Sequence, residues 1–72
     1  MDRAVLQDHL AQAEQHIAQG EGTLARQREI IAQLEGGGHD TSAARALLVQ
    51  FEELQALHIG DRDRLQRELR AA

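Results

Sequence analysis

Five consecutive seven-residue segments run from Ala4 to Gly38: AVLQDHL, AQAEQHI, AQGEGTL, ARQREII and AQLEGGG. Each begins with alanine, and the first four end in leucine or isoleucine. A strict seven-residue apolar repeat is typical of a helix that winds around another helix, because every seventh residue returns to nearly the same side. The first half of the chain is therefore predicted to be one long helix that needs a partner helix.

A glycine-rich segment interrupts this repeat at Gly36, Gly37 and Gly38, and His39 and Asp40 follow it. Glycine ends helices because it adopts the left-handed backbone conformation at little cost. An aspartate side chain accepts hydrogen bonds from the free N–H groups at a helix start, so Asp40 is the predicted N-cap of a second helix. These signals predict helices at about 2–35 and 41–70, joined by a loop at 36–40, in a single unit that spans residues 1–72. A short loop makes the helices antiparallel neighbours, so the predicted fold is an all-α two-helix coiled-coil hairpin.

The seven-residue spacing also predicts which side chains meet between the helices. In the first helix the predicted seam has two columns: Leu10, Ile17, Leu24 and Ile31, and Leu6, Ala13, Gly20, Gln27 and Leu34. In the second helix the best fit is Leu47, Phe51, Leu54, His58, Asp61 and Leu65. Folding at the loop brings together positions whose numbers sum to about 78, so that His58 faces Gly20 and large residues oppose small ones. A slip of one helical turn is also compatible with the pattern.

Two polar residues, His58 and Asp61, stand one turn apart at predicted seam positions, with Gly20 opposite leaving room for the imidazole. Polar groups in a seam cost stability unless they are paired. We expect this layer to fix the register of the helices, as a buried asparagine does in zippers. The functional alternative is a pH-sensitive or ligand-binding layer, since histidine titrates near neutrality.

A second apolar surface is predicted near the loop, where Ile30, Leu48 and Leu57 flank the seam. The apolar stripe there is wider than a two-helix contact needs, which favours a bundle with further helices. Ala18 and Ala25 are a possible edge for close helix packing, although alanine is also the best helix former on a solvated face. The expected assembly is a homodimer of hairpins that forms a four-helix bundle.

Composition agrees with a chain that needs a partner. The 72 residues (8.0 kDa) contain 1 % aromatic side chains and no Cys, Pro, Trp or Tyr, so a lone hairpin has little to bury. The lack of cysteine excludes disulfides and thiolate metal sites. A net charge of -4 disfavours nucleic acids and anionic membranes as partners. The polar, amphipathic start disfavours a signal peptide or a membrane span, and we expect a cytoplasmic protein.

No pattern in the chain is typical of catalysis or of metal binding. His9 and His16 lie seven residues apart, roughly 10 Å by helical rise, which is too far to bind one ion together. The glycine-rich segment lacks the lysine and the preceding strand of a phosphate-binding loop. We therefore predict no catalytic residue, no cofactor site and no metal site, and a non-catalytic structural or protein-interaction module. The alternative is a small cytosolic regulator that docks onto a signalling enzyme or a response regulator.

Three segments carry a resemblance to known sequences: Gly37 to Thr41, the block ARQRE at 25–29, and FEELQALHIGDRDRL at 51–65. Together they resemble a family of small bacterial helical-hairpin proteins that has no established activity. The resemblance extends over most of the chain. It implies a bacterial, soluble, stand-alone helical protein, and it assigns no functional residue.

Overall fold

The computed structural model describes residues 2–71, which form two helices and no strand: α1 (Arg3–Gly36) and α2 (Ser42–Ala71). The helices lie antiparallel, since the Arg3 side chain donates to the Leu69 carbonyl at one end and Glu35 pairs with Arg45 at the other. The Cα atoms span 54 × 14 × 13 Å, so the molecule is a thin rod two helices wide. The two-helix hairpin expected from the heptad repeat is confirmed.

A Schellman motif ends α1, and it requires only one of the three glycines. The His39 N–H donates to the Leu34 carbonyl (2.9 Å) and the Gly38 N–H donates to the Glu35 carbonyl (3.0 Å). Gly38 has φ 73°, the left-handed conformation that such a motif places just beyond the helix. Gly36 is still helical and Gly37 is the C-cap, so neither one is required by its backbone conformation.

Capping by Asp40 opens α2. Its Oδ1 accepts hydrogen bonds from the Ser42 Oγ (2.7 Å) and from the Ser42 N–H (2.9 Å). These two bonds, the hydroxyl's first and the backbone's second, hold the pKa of the Asp40 carboxyl below its usual value. The first helical bond runs from the Arg45 N–H to the Thr41 carbonyl (2.9 Å), so Thr41 occupies the N-cap position. Asp40, the predicted N-cap, caps the helix from the residue before it.

The seam of α1 follows both predicted columns. Its buried or half-buried positions alternate at spacings of four and three residues: Leu6, Leu10, Ala13, Ile17, Gly20, Leu24, Gln27, Ile31 and Leu34. Ile30 is also half-buried beside this row. An unbroken seven-residue pattern leaves the helix only one apolar stripe, and this stripe is the one that packs against α2.

One of the two predicted columns of α2 is wrong. Phe51, His58 and Leu65 do lie in the seam, but the second column consists of Leu48, Gln55, Arg62 and Leu69. Leu47, Leu54 and Asp61, predicted for that column, are exposed. Each lies one residue earlier in the chain, and a rotation of about 100° takes it out of the contact. Leu48, expected on an outer surface, therefore belongs to the seam.

The contact between Gly20 and Gln55 gives the register of the hairpin. Facing positions there sum to 75, about one turn away from the predicted 78, so the predicted facing of His58 and Gly20 is wrong. Leu65 and Ala13 still share a cluster, together with Leu6, at the end far from the loop; Leu10 and Leu69 pack against it. This cluster lies at the free ends of the helices, while Ile17 and Ile31 are buried elsewhere along the seam.

Candidate interaction face

One side of the hairpin carries a groove along the seam, and we call it the groove face. It is bounded by a row on α1 (His9, His16, Thr23 and Ile30) and a row on α2 (Leu47, Leu54 and Asp61). Within each row the residues recur every seven positions, which keeps them on one side of their helix. Two hollows occupy the groove, and both are bordered by His16 and His58.

The two hollows are small and open to solvent. Their volumes are about 240 and 280 Å³, below the roughly 300–1,000 Å³ of clefts that enclose small-molecule ligands. Phe51 and Leu54 line the hollow nearer the loop, while Arg64 and Asp61 line the other. Such shallow depressions fit side chains of another protein surface better than an enclosed small ligand.

His58 is placed beside a residue that the sequence did not pair it with. Its ring lies against the ring of His16, with centroids 4.9 Å apart and planes tilted by 46°. His58 is half-buried and His16 is exposed. The expected polar layer of His58, Asp61 and Gly20 is therefore not formed; a pair of imidazoles from the two helices stands there instead.

Gly20 takes part in a different polar contact. The amide of Gln55 occupies the space above it, and a Cβ on residue 20 would lie 2.7 Å from the Gln55 Cδ and closer still to the Oε1. Gln55 is 7 % exposed and its Nε2 donates to the Ile17 carbonyl (2.9 Å), while its Oε1 is buried without a partner among residues 2–71. The missing side chain at Gly20 thus makes room for a buried glutamine.

Asp61 lies on the rim of the groove and not in the seam. It is exposed, and it borders the same hollow as His9 and Arg64. Across residues 2–71, no three His, Asp or Glu side chains converge closely enough to hold one metal ion. Asp61 therefore contributes negative charge to the groove rather than a buried polar contact.

The loop-proximal half of the groove face is apolar and nearly free of charge. Leu47, Leu54 and Leu57 are 40 %, 52 % and 67 % exposed, and Leu57 lies one turn beyond Leu54 on the same side of α2. Nine positions make up this half: Gln19, Thr23, Arg26, Ile30 and Gln33 on α1, and Leu47, Gln50, Leu54 and Leu57 on α2. Only Arg26 among them is charged, a depletion that is typical of the centre of a protein–protein interface.

The opposite side of the seam carries ion pairs, and we call it the ion-pair face. Arg28 and Glu52 lie 3.8 Å apart there, and Glu35 pairs with Arg45. Both pairs are about half exposed, so each contributes little stability. They are consistent with a face that stays in water.

The five residues predicted to form a dimer surface do not share one side of the hairpin. Ile30 and Leu57 belong to the groove face, whereas Leu48 packs in the seam. Ala18 and Ala25 are exposed on the ion-pair face, since each lies one turn before one of its charged residues, Glu21 and Arg28. Leu47 and Leu54 also belong to this surface, although the apolar pattern predicts them in the seam. Their sequence signal is the same wide apolar stripe that predicts Ile30 and Leu57 on an outer surface.

Comparison with known proteins adds no relative: no family model, curated protein or solved structure matches this chain. Neither helix, over residues 2–71, has the combination of length and apolarity that a bilayer crossing needs. The functional argument therefore depends on the surface of the hairpin itself.

Proposed function

We propose that this chain is a non-catalytic protein-interaction module that pairs with a second copy of itself through the groove face, giving a four-helix bundle. The observation that carries the proposal is the row of exposed leucines, Leu47, Leu54 and Leu57, in a half-face with a single charge, Arg26. A large apolar patch with a polar rim marks an interaction site in soluble proteins.

The surface of the single hairpin supports the same proposal. Its accessible area is 5088 Å², whereas a compact monomer of 8.0 kDa has about 4,500 Å². One side of the hairpin over its full length, 54 by 14 Å between Cα atoms, covers about 750 Å², close to the roughly 800 Å² that each partner buries in a stable interface. One groove face is thus large enough for a dimer and would offset the excess of exposed surface.

The proposal also explains the contrast between the two sides of α2. A second copy docked on the groove face covers Leu54 and Leu57, whose burial stabilises the pair by about 1–2 kcal/mol each. The charged side chains of the ion-pair face, including Glu52 and Arg45, stay in water, where their hydration is retained. The symmetric pairing of identical surfaces is the commonest form of homodimer.

Charge substitutions on the two sides of α2 test the proposed face. Leu54→Glu places charges in the interface and is expected to convert the dimer into a monomer in sedimentation equilibrium. Val49→Glu is the matched control, because Val49 is 51 % exposed on the same helix but lies outside the groove face. Both variants keep the seam intact, which far-UV circular dichroism would verify.

Dissociation by Val49→Glu together with an intact dimer in Leu54→Glu would contradict the proposed face. A dimer that is disrupted by Ala25→Glu alone would instead favour the alanine column as the contact. If the natural chain is a monomer at all concentrations, the groove face becomes the candidate docking surface of the alternative function, a small regulator of another protein.

A further inference from the structure

We propose that His16 and His58 form a two-histidine site for a divalent transition metal of the class that imidazole binds, such as Zn²⁺, Ni²⁺ or Cu²⁺. The two rings project from different helices into the same groove and lie 4.9 Å apart between centroids. Both ligands belong to one chain, so a single hairpin contains the complete pair; the proposed dimer, which uses the same groove face, would cover it.

The ring separation is compatible with a shared metal. A Zn–N bond is about 2.0–2.1 Å, and the ring centre lies about 1.1 Å beyond the nitrogen, so each centroid lies roughly 3.2 Å from the metal. With an angle between the two bonds of about 90–109°, the centroids are about 4.5–5.2 Å apart. The observed 4.9 Å falls inside this range. Rotation about the Cβ–Cγ bond of each histidine changes the direction of its ring nitrogens and leaves the ring centre nearly in place.

The ring nitrogens of both histidines are free to bind. Within residues 2–71, no side-chain hydrogen bond or ion pair involves His16 or His58. In contrast, the two buried glutamines of the seam, Gln27 and Gln55, each donate to a backbone carbonyl. In the single hairpin both imidazoles line solvent-open hollows, so water can fill the remaining coordination positions of a bound ion.

The charges around the pair favour a cation. Asp61 borders the hollow that both histidines line, and it is one turn beyond His58. The cation on the same rim, Arg64, is hydrogen-bonded to Glu68 at 3.0 Å, which offsets its charge. The whole chain carries a net charge of -4, so long-range attraction also acts on a positive ion.

A metal held in this way ties α1 to α2 near the middle of the hairpin. Because the unfolded chain does not hold His16 and His58 together, the metal binds the folded state preferentially and raises its melting temperature. A metal that binds a single histidine, or that binds histidines equally well in the unfolded chain, would not raise the melting temperature. Stabilisation is therefore the property that separates this site from nonspecific adsorption.

Calorimetric titration of the full chain with Zn²⁺ alone, paired with thermal melting by circular dichroism, tests the proposal. We expect one ion per chain, a melting temperature that rises with metal concentration, and at least a tenfold weaker affinity in His16→Gln and in His58→Gln. His16 is exposed, so its variant keeps the seam and remains informative even if His58→Gln lowers the helicity.

His39→Gln and His9→Gln are the matched controls. His39 lies in the loop, and His9 lies about two helical turns from His16, so both variants are expected to bind as the natural chain does. Unchanged affinity in His16→Gln, a tenfold loss in either control, or binding that leaves the melting temperature unchanged would each overturn the two-histidine site.

Discussion

At the scale of single residues, Gly20 and Gln55 decide how the two helices meet. A glycine in a helix interior costs about 1 kcal/mol relative to alanine, so its presence in a seam needs a packing reason. At Gly20 the reason is the Gln55 amide, which occupies the space of the absent Cβ. Gly22, two residues later, faces solvent, and a methyl group on it would meet no atom within 4 Å.

Alanine substitutions at these two glycines are expected to act in opposite directions. Gly22→Ala raises the free energy of unfolding by about 1 kcal/mol, through helix propensity alone. Gly20→Ala gains the same term, but it displaces the Gln55 amide from its bond to the Ile17 carbonyl and overpacks the seam, for a net loss of about 1–2 kcal/mol. Urea unfolding at one protein concentration measures both, and equal stabilisation by the two variants would contradict the packing role of Gly20.

The Gln55 side chain itself is predicted to lower stability. Its buried Oε1 has no partner within residues 2–71, a defect that costs about 1–3 kcal/mol. Methionine has a similar shape and removes the unpaired oxygen, and the Ile17 carbonyl keeps its ordinary helical bond. Gln55→Met is therefore expected to stabilise the hairpin by about 1 kcal/mol in the same urea assay.

Gln27→Met is the control for that substitution. The Gln27 Nε2 donates to the Ala44 carbonyl at 2.9 Å, and its Oε1 is not a buried unpaired atom. Replacing it removes a satisfied hydrogen bond, so no comparable gain is expected. A loss of stability in Gln55→Met would show that the buried amide is stabilising as it stands.

At the scale of elements, the ends of the helices are specified by local chemistry, while the facing sides depend on both helices together. Helix α1 begins at Arg3 behind the cap Asp2, which accepts from the Ala4 N–H, and it ends in the glycine motif at Gly38. These signals act within a few residues, and the expected bounds differ from the observed ones by one residue. Turn and cap chemistry could therefore be predicted from the sequence.

The left-handed glycine is expected to be the sensitive one of the three in the loop. Gly38→Ala places a Cβ at φ 73°, which costs about 1–2 kcal/mol. Gly36 is helical and a methyl group there meets nothing within 4 Å, so Gly36→Ala is expected to keep or raise the melting temperature. A lower melting temperature in the Gly36 variant than in the Gly38 variant would contradict the assigned C-terminal motif.

The Asp40 cap predicts a loss of stability in acid. Because the folded state lowers the pKa of this carboxyl, the folded chain binds fewer protons there than the unfolded chain does. Its contribution is present above the unfolded pKa of about 3.9 and disappears as the pH falls through the lower folded value. The melting temperature is therefore expected to fall more between about pH 5 and pH 2 in the natural chain than in Asp40→Asn, whose neutral side chain also caps.

The same acid titration in the two proteins is its own control, since all other carboxyl groups are shared. If the melting temperature falls equally with pH in the natural chain and in Asp40→Asn, the result would contradict the role of the Ser42 hydrogen bonds.

The seam of α2 could not be predicted from its sequence alone. Leu47 and Leu54 are more apolar than Gln55 and Arg62, so the apolar pattern favoured the wrong column beside Phe51 and His58. The true column is selected by fit to α1, above all by the space at Gly20. The His16–His58 pair could not be predicted for the same reason. The contact depends on the register between the helices, and neither helix has a sequence pattern that indicates it.

At the scale of the whole molecule, the hairpin is two-sided. Its seam leaves apolar Leu47, Leu54 and Leu57 uncovered on the groove face and collects the ion pairs of Arg28 and Arg45 on the other. The buried core is small, since only five apolar residues in positions 2–71 are buried. So small a core gives little stability to a lone hairpin, and burial of a second face is the physical remedy.

Sedimentation equilibrium of the unmodified chain at micromolar concentration tests this account most directly. A chain of 8.0 kDa that pairs through its groove face is expected to sediment at about twice that mass and to dissociate on dilution. A mass of one chain across the whole concentration range, with the helices still folded, would contradict self-association.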